Sequence, residues 1–231
     1  MNQAELKKRC AEAAIDYVIE DEYLGVGTGT TVGFFITALA MSGKRVKGCV
    51  SSSEATTRQL LTLGFPVCDL NDVGHLSVYV DGCDEINDRF HMIKGGGGAL
   101  TREKICADAS DKYICIADES KLVKTLGKFP LPIEVLPMAI TNVSNALKRL
   151  GGDPKVRDFV TDNGNRIIDV YGLVIEDPVA LESQINQIPG VVTCGIFGAR
   201  GADVLLLATG DGVRVLEPAD KDILSKMKQK L

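Results

Sequence analysis

Tryptophan is absent from this 231-residue chain, histidine occurs only twice, and seven cysteines are scattered without a Cys-x-x-Cys pair. Two histidines are too few for the usual zinc ligand sets, so a zinc site is not expected. The cysteine count is odd, and most cysteines lie in apolar runs such as YICIAD, where a free thiol behaves as a small hydrophobe. That pattern reads as a reducing cytoplasm. There is no basic excess either. A net charge of −5 argues against a nucleic-acid surface, so any phosphate must be held by a local site rather than a global field. No run approaches the roughly 20 apolar residues of a membrane span, and MNQAELKKRCAEAA lacks the apolar centre of a signal peptide.

What is present is an ordinary globular balance, 45% hydrophobic and 25% charged, in a chain long enough for one large domain or two modest ones. Leu6, Cys10, Ala13, Ala14, Tyr17 and Val18 recur at helical spacing. Strand and helix patterns then alternate: YLGVG, a helix through VGFFITALAM, RVKGCVSSS, EATTRQLLTLG, PVCDL, LSVYVD, LTREKICADAS and KYICIAD. Five strands alternating with helices imply a parallel, doubly wound sheet covered on both faces. After GKFPLPIEV the order becomes strand (131–135), helix (138–150), strand (154–159), strand (166–171), helix (178–188) and strand (190–197). The Asn-Gly of TDNGNR suits the turn between the middle strands, and β-α-β-β-α-β is a split, ferredoxin-like pattern. ADVLLLATGDGVRVLEP supplies a hairpin that rejoins the first sheet, and the tail KDILSKMKQKL is left open as a helix or a frayed end. The expected class is therefore α/β. A mostly parallel Rossmann-like domain (1–128 and 200–231) carries an inserted, smaller α+β ferredoxin-like domain (129–199).

Two glycine-rich stretches carry the chemistry. GVGTGTTVG, Gly25 to Gly33, falls where the first strand meets its helix, a place where N–H groups point at an anion. A dinucleotide fingerprint fails on spacing, because its third glycine would be Thr30 or Val32. No Gly-x-x-x-x-Gly-Lys-Ser/Thr is present, so an ATP-binding loop fails too. Gly29 with the hydroxyls of Thr28, Thr30 and Thr31 suits a small phosphate monoester, against the plainer reading of a capped tight turn. VDGCDEINDRFHMIKGGGGALTREK, Val80 to Lys104, sets carboxylates, cations and four consecutive glycines behind one strand. Asp81, Asp84 and Glu85 could bind a divalent cation or simply be solvated; Lys94 immediately downstream favours a metal-free, ion-paired acid–base site. Glu103 stands in the first turns of a helix, where the dipole stabilises a carboxylate, yet close enough to the glycines to enter the same crevice. Lys121 follows the fifth strand on the same edge and alone would pass for a surface lysine.

GVGTGTT, VDGCDEI, KGGGGALTREK, ADESK and TDNGN, in this order and spacing, resemble the A-type ribose-5-phosphate isomerases. The likeness extends to GKFPLPIEVLPMA and IPGVVTCGIF and so spans nearly the whole chain. It implies an aldose–ketose isomerase that moves a proton between carbons 2 and 1 of a pentose phosphate through an enediolate, with no cofactor and no metal. By the same match Glu103 is the base. Asp81, Asp84 and Lys94 assist ring opening and handle sugar oxygens, with Gly82 and Cys83 between them. Gly95, Gly96 and Gly97 line the open-chain substrate, and Thr28 to Thr31 with Lys121 hold the phosphate. Lys7 matches only loosely and is not counted. Thr30 stands where serine is common, and Cys83 and Gly98 where alanine is frequent; no catalytic group is lost. Partners implied are the sugar phosphate and further copies of the chain, as a homodimer or homotetramer, with neither nucleic acid nor membrane. Two rivals remain: a non-catalytic sugar-phosphate sensor, disfavoured by acidity and the lack of a helix-turn-helix extension, and a CoA transferase using Glu103 as nucleophile.

Overall fold

The structure, a computed structural model, describes residues 2–218. The tail KDILSKMKQKL lies outside these residues. Asn2 caps α1 (Gln3–Ala13) by accepting the Glu5 N–H at 2.8 Å, and the helix buries Leu6, Cys10 and Ala11. There follow β1 (Tyr23–Val26), α2 (Thr30–Ser42), β2 (Gly48–Ser51), α3 (Glu54–Thr62), α4 (Leu70–Val73), β3 (Leu76–Asp81), β4 (Glu85–Ile86), β5 (Met92–Ile93), α5 (Leu100–Asp108) and β6 (Ser110–Asp118). The second half holds β7 (Leu131–Val135), α6 (Ile140–Arg149), β8 (Asp153–Val160), β9 (Arg166–Tyr171), α7 (Pro178–Asn186), β10 (Val191–Cys194), β11 (Ile196–Phe197), β12 (Val204–Thr209) and β13 (Gly212–Leu216).

The central sheet runs β13-β12-β6-β3-β1-β2, all parallel except the hairpin strand β13. Its strands read as apolar runs because both faces are covered. Phe35, Ile36 and Leu39 of α2 pack with α1 on one face, and Tyr79, Tyr113, Phe90 and Phe197 fill the other. From β1 the chain steps outward to β2 and then back across to β3, so the strand order reverses between β1 and β3. That reversal leaves a crevice at the carboxyl ends of these strands, where ligands bind in open α/β sheets.

PVCDL does not form the expected third strand. It makes a single bridge, Cys49 to Val67, before Asp69 caps α4 through the Asn71 N–H and turns the chain off the sheet edge. The expected strand 190–197 breaks at Gly195. Its first part, β10, belongs to a second sheet ordered β10-β7-β9-β8, and its last part, β11, pairs with β5 in a small sheet β11-β5-β4. Gly195 stitches the two together: its N–H donates to Pro132 and its carbonyl accepts the Lys94 N–H at 2.9 Å. The short β4 and β5 were not foreseen, since two-residue strands leave no periodicity to read.

Glu134 of β7, fully buried, joins the second sheet to α5. It accepts from Thr161, Asn163 and Asn165 of the TDNGN turn and from the Thr101 hydroxyl in the first turn of α5. Thr161 Oγ1 already accepts the Asn163 and Asn165 N–H groups, so its own proton goes to Glu134. Every partner donates, and the carboxylate is the acceptor they share. Glu134→Leu would leave the buried Thr161 hydroxyl, and the half-buried Thr101 and Asn165 donors, without their acceptor. It is expected to destabilise the fold by about 3 kcal/mol or more, at one to three per orphaned group. Urea unfolding checks this; a loss below about 1 kcal/mol would contradict the account.

Candidate active site

At the crevice, Gly27 to Thr31 pass between β1 and α2, and Asp81 ends β3. Gly27 is required by close approach, since a Cβ there would lie 2.0 Å from the Asp81 carboxylate. Both Asp81 oxygens are engaged. Oδ1 accepts the Thr28 and Gly82 N–H groups at 3.1 and 2.7 Å, and Oδ2 accepts the Tyr79 hydroxyl at 2.5 Å and lies 2.8 Å from Lys94 Nζ.

Lys94 is itself buried. Its ammonium also donates to the Gly82 carbonyl at 2.6 Å and lies 3.4 Å from Glu103 Oε2. Burial opposes the Lys94 charge, but Asp81 and then Glu103 outweigh it and hold its pKa well above the ordinary value. Glu103, in the first turns of α5, is 3% exposed, and its buried Oε2 makes no hydrogen bond despite the nearby ammonium. Burial, opposed by Lys94 and reinforced by Asp81 and Asp84, pushes its pKa up to about 8. A carboxyl poised in that range can both take and return a proton near neutrality.

The remaining wall is a phosphate-sized end and a loop. Gly29, with φ of 101°, precedes α2 with no side-chain cap, so the first N–H groups of that helix stay open to an anion. The Lys7 ammonium donates to Thr30 Oγ1 at 3.1 Å, and Lys121 approaches from the short 3-10 turn Glu119–Lys121. On the opposite side Asp84 Oδ2 accepts the Gly96 N–H at 2.8 Å. One cavity of about 130 Å³ is lined by Thr28 to Thr31, Gly82, Cys83, Asp84, Lys94, Gly95 to Gly97, Glu103 and Lys121. Of the residues implied by the resemblance Asp81 alone stands behind it, screened by Lys94, while the Glu85 carboxylate is taken up by the Gly127 and Phe129 N–H groups. Lys7, left out of the expected set, lines the cavity. The packing of α1 on α2 brings it there, and no local spacing announces that contact. Tyr79, too, was missed: it reads as a core aromatic, and only its hydroxyl reveals the site. Among the described residues no cluster of three or more His, Cys, Asp or Glu is arranged to hold a metal ion.

Residues 48–212 match the family model of ribose 5-phosphate isomerase A (phosphoriboisomerase A). The chain belongs to this family. Ribose-5-phosphate isomerase A of Bordetella bronchiseptica is 57% identical over 222 residues, covering 94% of this chain and 98% of that protein. The crystal structure of ribose 5 phosphate isomerase A from Neisseria gonorrhoeae superposes with a TM-score of 0.93 at 50% identity, over 94% of this chain and 98% of the other. A D-ribose-5-phosphate isomerase solved with phospho-erythronic acid gives 0.90 at 35% identity, over 94% and 100%. The mostly parallel central sheet is thus common to the family's structures.

The Glu103 environment sets a pH dependence. Its folded-state pKa lies above the ordinary carboxyl value of 4.5, so the stability it contributes is present below about 4.5 and is lost as pH rises through about 8. Glu103→Gln removes that loss. The variant should melt above the wild type by a margin that grows from about pH 5 to about pH 9, followed by calorimetry. A margin independent of pH would contradict a buried, proton-accepting Glu103.

Proposed function

We infer that this chain interconverts D-ribose 5-phosphate and D-ribulose 5-phosphate through an enediolate, the aldose–ketose step of the non-oxidative pentose phosphate pathway. The carrying observation is Glu103: a buried carboxylate with an oxygen free of hydrogen bonds, opening on a cavity beside an ammonium. In our assignment Glu103 removes the proton from carbon 2 of the open-chain aldose. The electron pair forms the carbon 1–carbon 2 double bond, and negative charge moves to the carbonyl oxygen. Lys94 and the N–H groups of the glycine loop stabilise that oxyanion. Glu103 then returns the proton to carbon 1. Asp84, which lines the cavity, is assigned the hydroxyl relay and furanose opening. Asp81, with both oxygens engaged, is assigned the task of holding Lys94 and the Thr28 turn.

The α2 N-terminus, Thr28, Thr30, Thr31, Lys7 and Lys121 hold the phosphate, whose binding energy positions the reacting carbons. That a relative of 35% identity was solved with phospho-erythronic acid, a phosphate and a carboxylate on one short sugar-acid chain, supports a site that takes a phosphorylated sugar-like ligand. No metal is invoked: the Lys94 ammonium occupies the place between Asp81 and Glu103 that a cation would take.

The same reading carries a cytoplasmic enzyme that acts as a homodimer or homotetramer. Met138, 94% exposed, and Val160 of β8, 60% exposed, are apolar surface that a second copy would cover. Among the described residues no helix is long and apolar enough to cross a membrane. We also read 129–199 as a ferredoxin-like unit inserted into the Rossmann-like domain. The order β10-β7-β9-β8, antiparallel at every pairing, supports this.

Chemistry and phosphate holding should separate in steady-state kinetics on ribose 5-phosphate with EDTA present. Glu103→Gln is expected to lose at least about 100-fold in kcat with substrate binding retained. Lys121→Ala should act mainly on KM, because the phosphate is held alike in ground and transition states. Near-normal turnover by Glu103→Gln would move the base elsewhere, and an unchanged KM in Lys121→Ala would remove Lys121 from the phosphate site.

A further inference from the structure

Beyond the residues that line the cavity, the edge strand of the second sheet touches the glycine loop directly. We propose that Arg157, on edge strand β8, is a positioning residue that holds the glycine loop with the Gly97 N–H toward the substrate and the Gly96 N–H on Asp84; this rests on the isomerase reading. Arg157 Nη1 donates to the carbonyls of Gly95 and Gly96 at 3.1 and 3.2 Å. The guanidinium is fixed from behind by Asp169 of β9, which accepts from Nε at 2.8 Å and from Nη2 at 2.6 Å. The pairing of β8 with β9 shifts register between Val156 and Val160, so the strand is irregular over the residues that touch the loop. Such irregularities re-aim side chains. Phe159, two residues on, lies against Gly98, where a Cβ would come within 2.4 Å of its ring.

The geometry of the peptide group gives this contact a chemical consequence. A trans peptide points its C=O and its N–H in opposite directions. With the Gly95 and Gly96 carbonyls turned to Arg157, the N–H groups of Gly96 and Gly97 point away from β8. The Gly96 N–H does so visibly, donating to Asp84 at 2.8 Å, and Gly97 lines the cavity. A cation on the carbonyl side also polarises each peptide and strengthens its N–H as a donor. The loop has no side chains of its own to hold it. Arg157 supplies that restraint, and because Asp169 balances its charge it adds no net charge beside the site. Its effect belongs to the enediolate, whose negative charge meets the Gly97 N–H while the Gly96 N–H holds Asp84, and not to the phosphate end on α2.

The test is the kinetics of Arg157→Met, Arg157→Lys and Asp169→Asn, with binding of phospho-erythronic acid and of inorganic phosphate measured on each. Arg157→Met should lose about 10- to 100-fold in kcat, the range of a lost oxyanion donor or somewhat less. Its affinity for phospho-erythronic acid should fall by a similar factor while inorganic phosphate stays within about twofold. Arg157→Lys should recover part of the loss, and Asp169→Asn should shift both readouts the same way by less. Wild-type kcat and inhibitor affinity in Arg157→Met would overturn the proposal. So would inorganic phosphate weakening in step with the acid, which would mean general loosening. If Arg157→Met does not fold, wild-type values in Asp169→Asn overturn it instead. A wild-type chain inert toward ribose 5-phosphate would defeat the isomerase reading itself, whereas a normal wild type with a normal Arg157→Met defeats only this inference.

Discussion

An ammonium group held out of water between two carboxylates organises the carboxyl edge of the central sheet. Lys94 reaches Asp81 at 2.8 Å and Glu103 at 3.4 Å, and all three groups are buried. Charges removed from water are costly, and a cluster of this kind persists only where each charge has its partners. Asp81 has four donors. Lys94 has Asp81, the Gly82 carbonyl and part of Glu103. Glu103 is the member left short, and the shortfall appears as a carboxyl whose pKa is pushed up to about 8. The cluster therefore leaves one group, facing the cavity, ready to exchange a proton.

Much of the surrounding structure can be understood as keeping that cluster in register. Gly27 makes room for Asp81, and Tyr79 braces it from within the core. The Lys94 backbone is tied through Gly195 to Pro132 of the second sheet. The helix that carries Glu103 is tied through Thr101 to Glu134 of the same strand. The second sheet thus grips the loop before Glu103 and the helix that contains it. A buried carboxyl that resists ionisation is an expense in stability, and the extensive hydrogen bonding of Glu134 and Asp81 offsets it.

Sequence alone made the site legible because its chemistry is concentrated in runs that local structure cannot explain. Four glycines beside a lysine and several acids have no evident stabilising purpose, and a glycine-threonine turn with the wrong spacing for a dinucleotide still reads as a candidate anion site. What remained hidden depends on contacts between distant segments. Lys7 reaches the site only through the packing of α1 on α2, Arg157 stands 62 residues from the Gly95 carbonyl it holds, and Glu134 stands 33 residues from Thr101. PVCDL had strand-forming residues, yet a capping Asp69 turned it away after one bridge. The strand expected at 190–197 was one apolar run to the eye, but Gly195 let it serve two sheets.

In our assignment a proton leaves carbon 2 to Glu103 and returns to carbon 1. A carboxylic acid holding that proton can exchange it with solvent before giving it back. Turnover in deuterium oxide, followed by NMR of the carbon-bound hydrogens, tests this directly. Deuterium is expected at carbon 1 of ribulose 5-phosphate and at carbon 2 of ribose 5-phosphate recovered after partial conversion, with label and turnover abolished together in Glu103→Gln. Turnover that carries the original hydrogen across with no solvent label, even after prolonged reaction, would contradict the assignment, because a hydride shift needs no carboxylate to hold a proton.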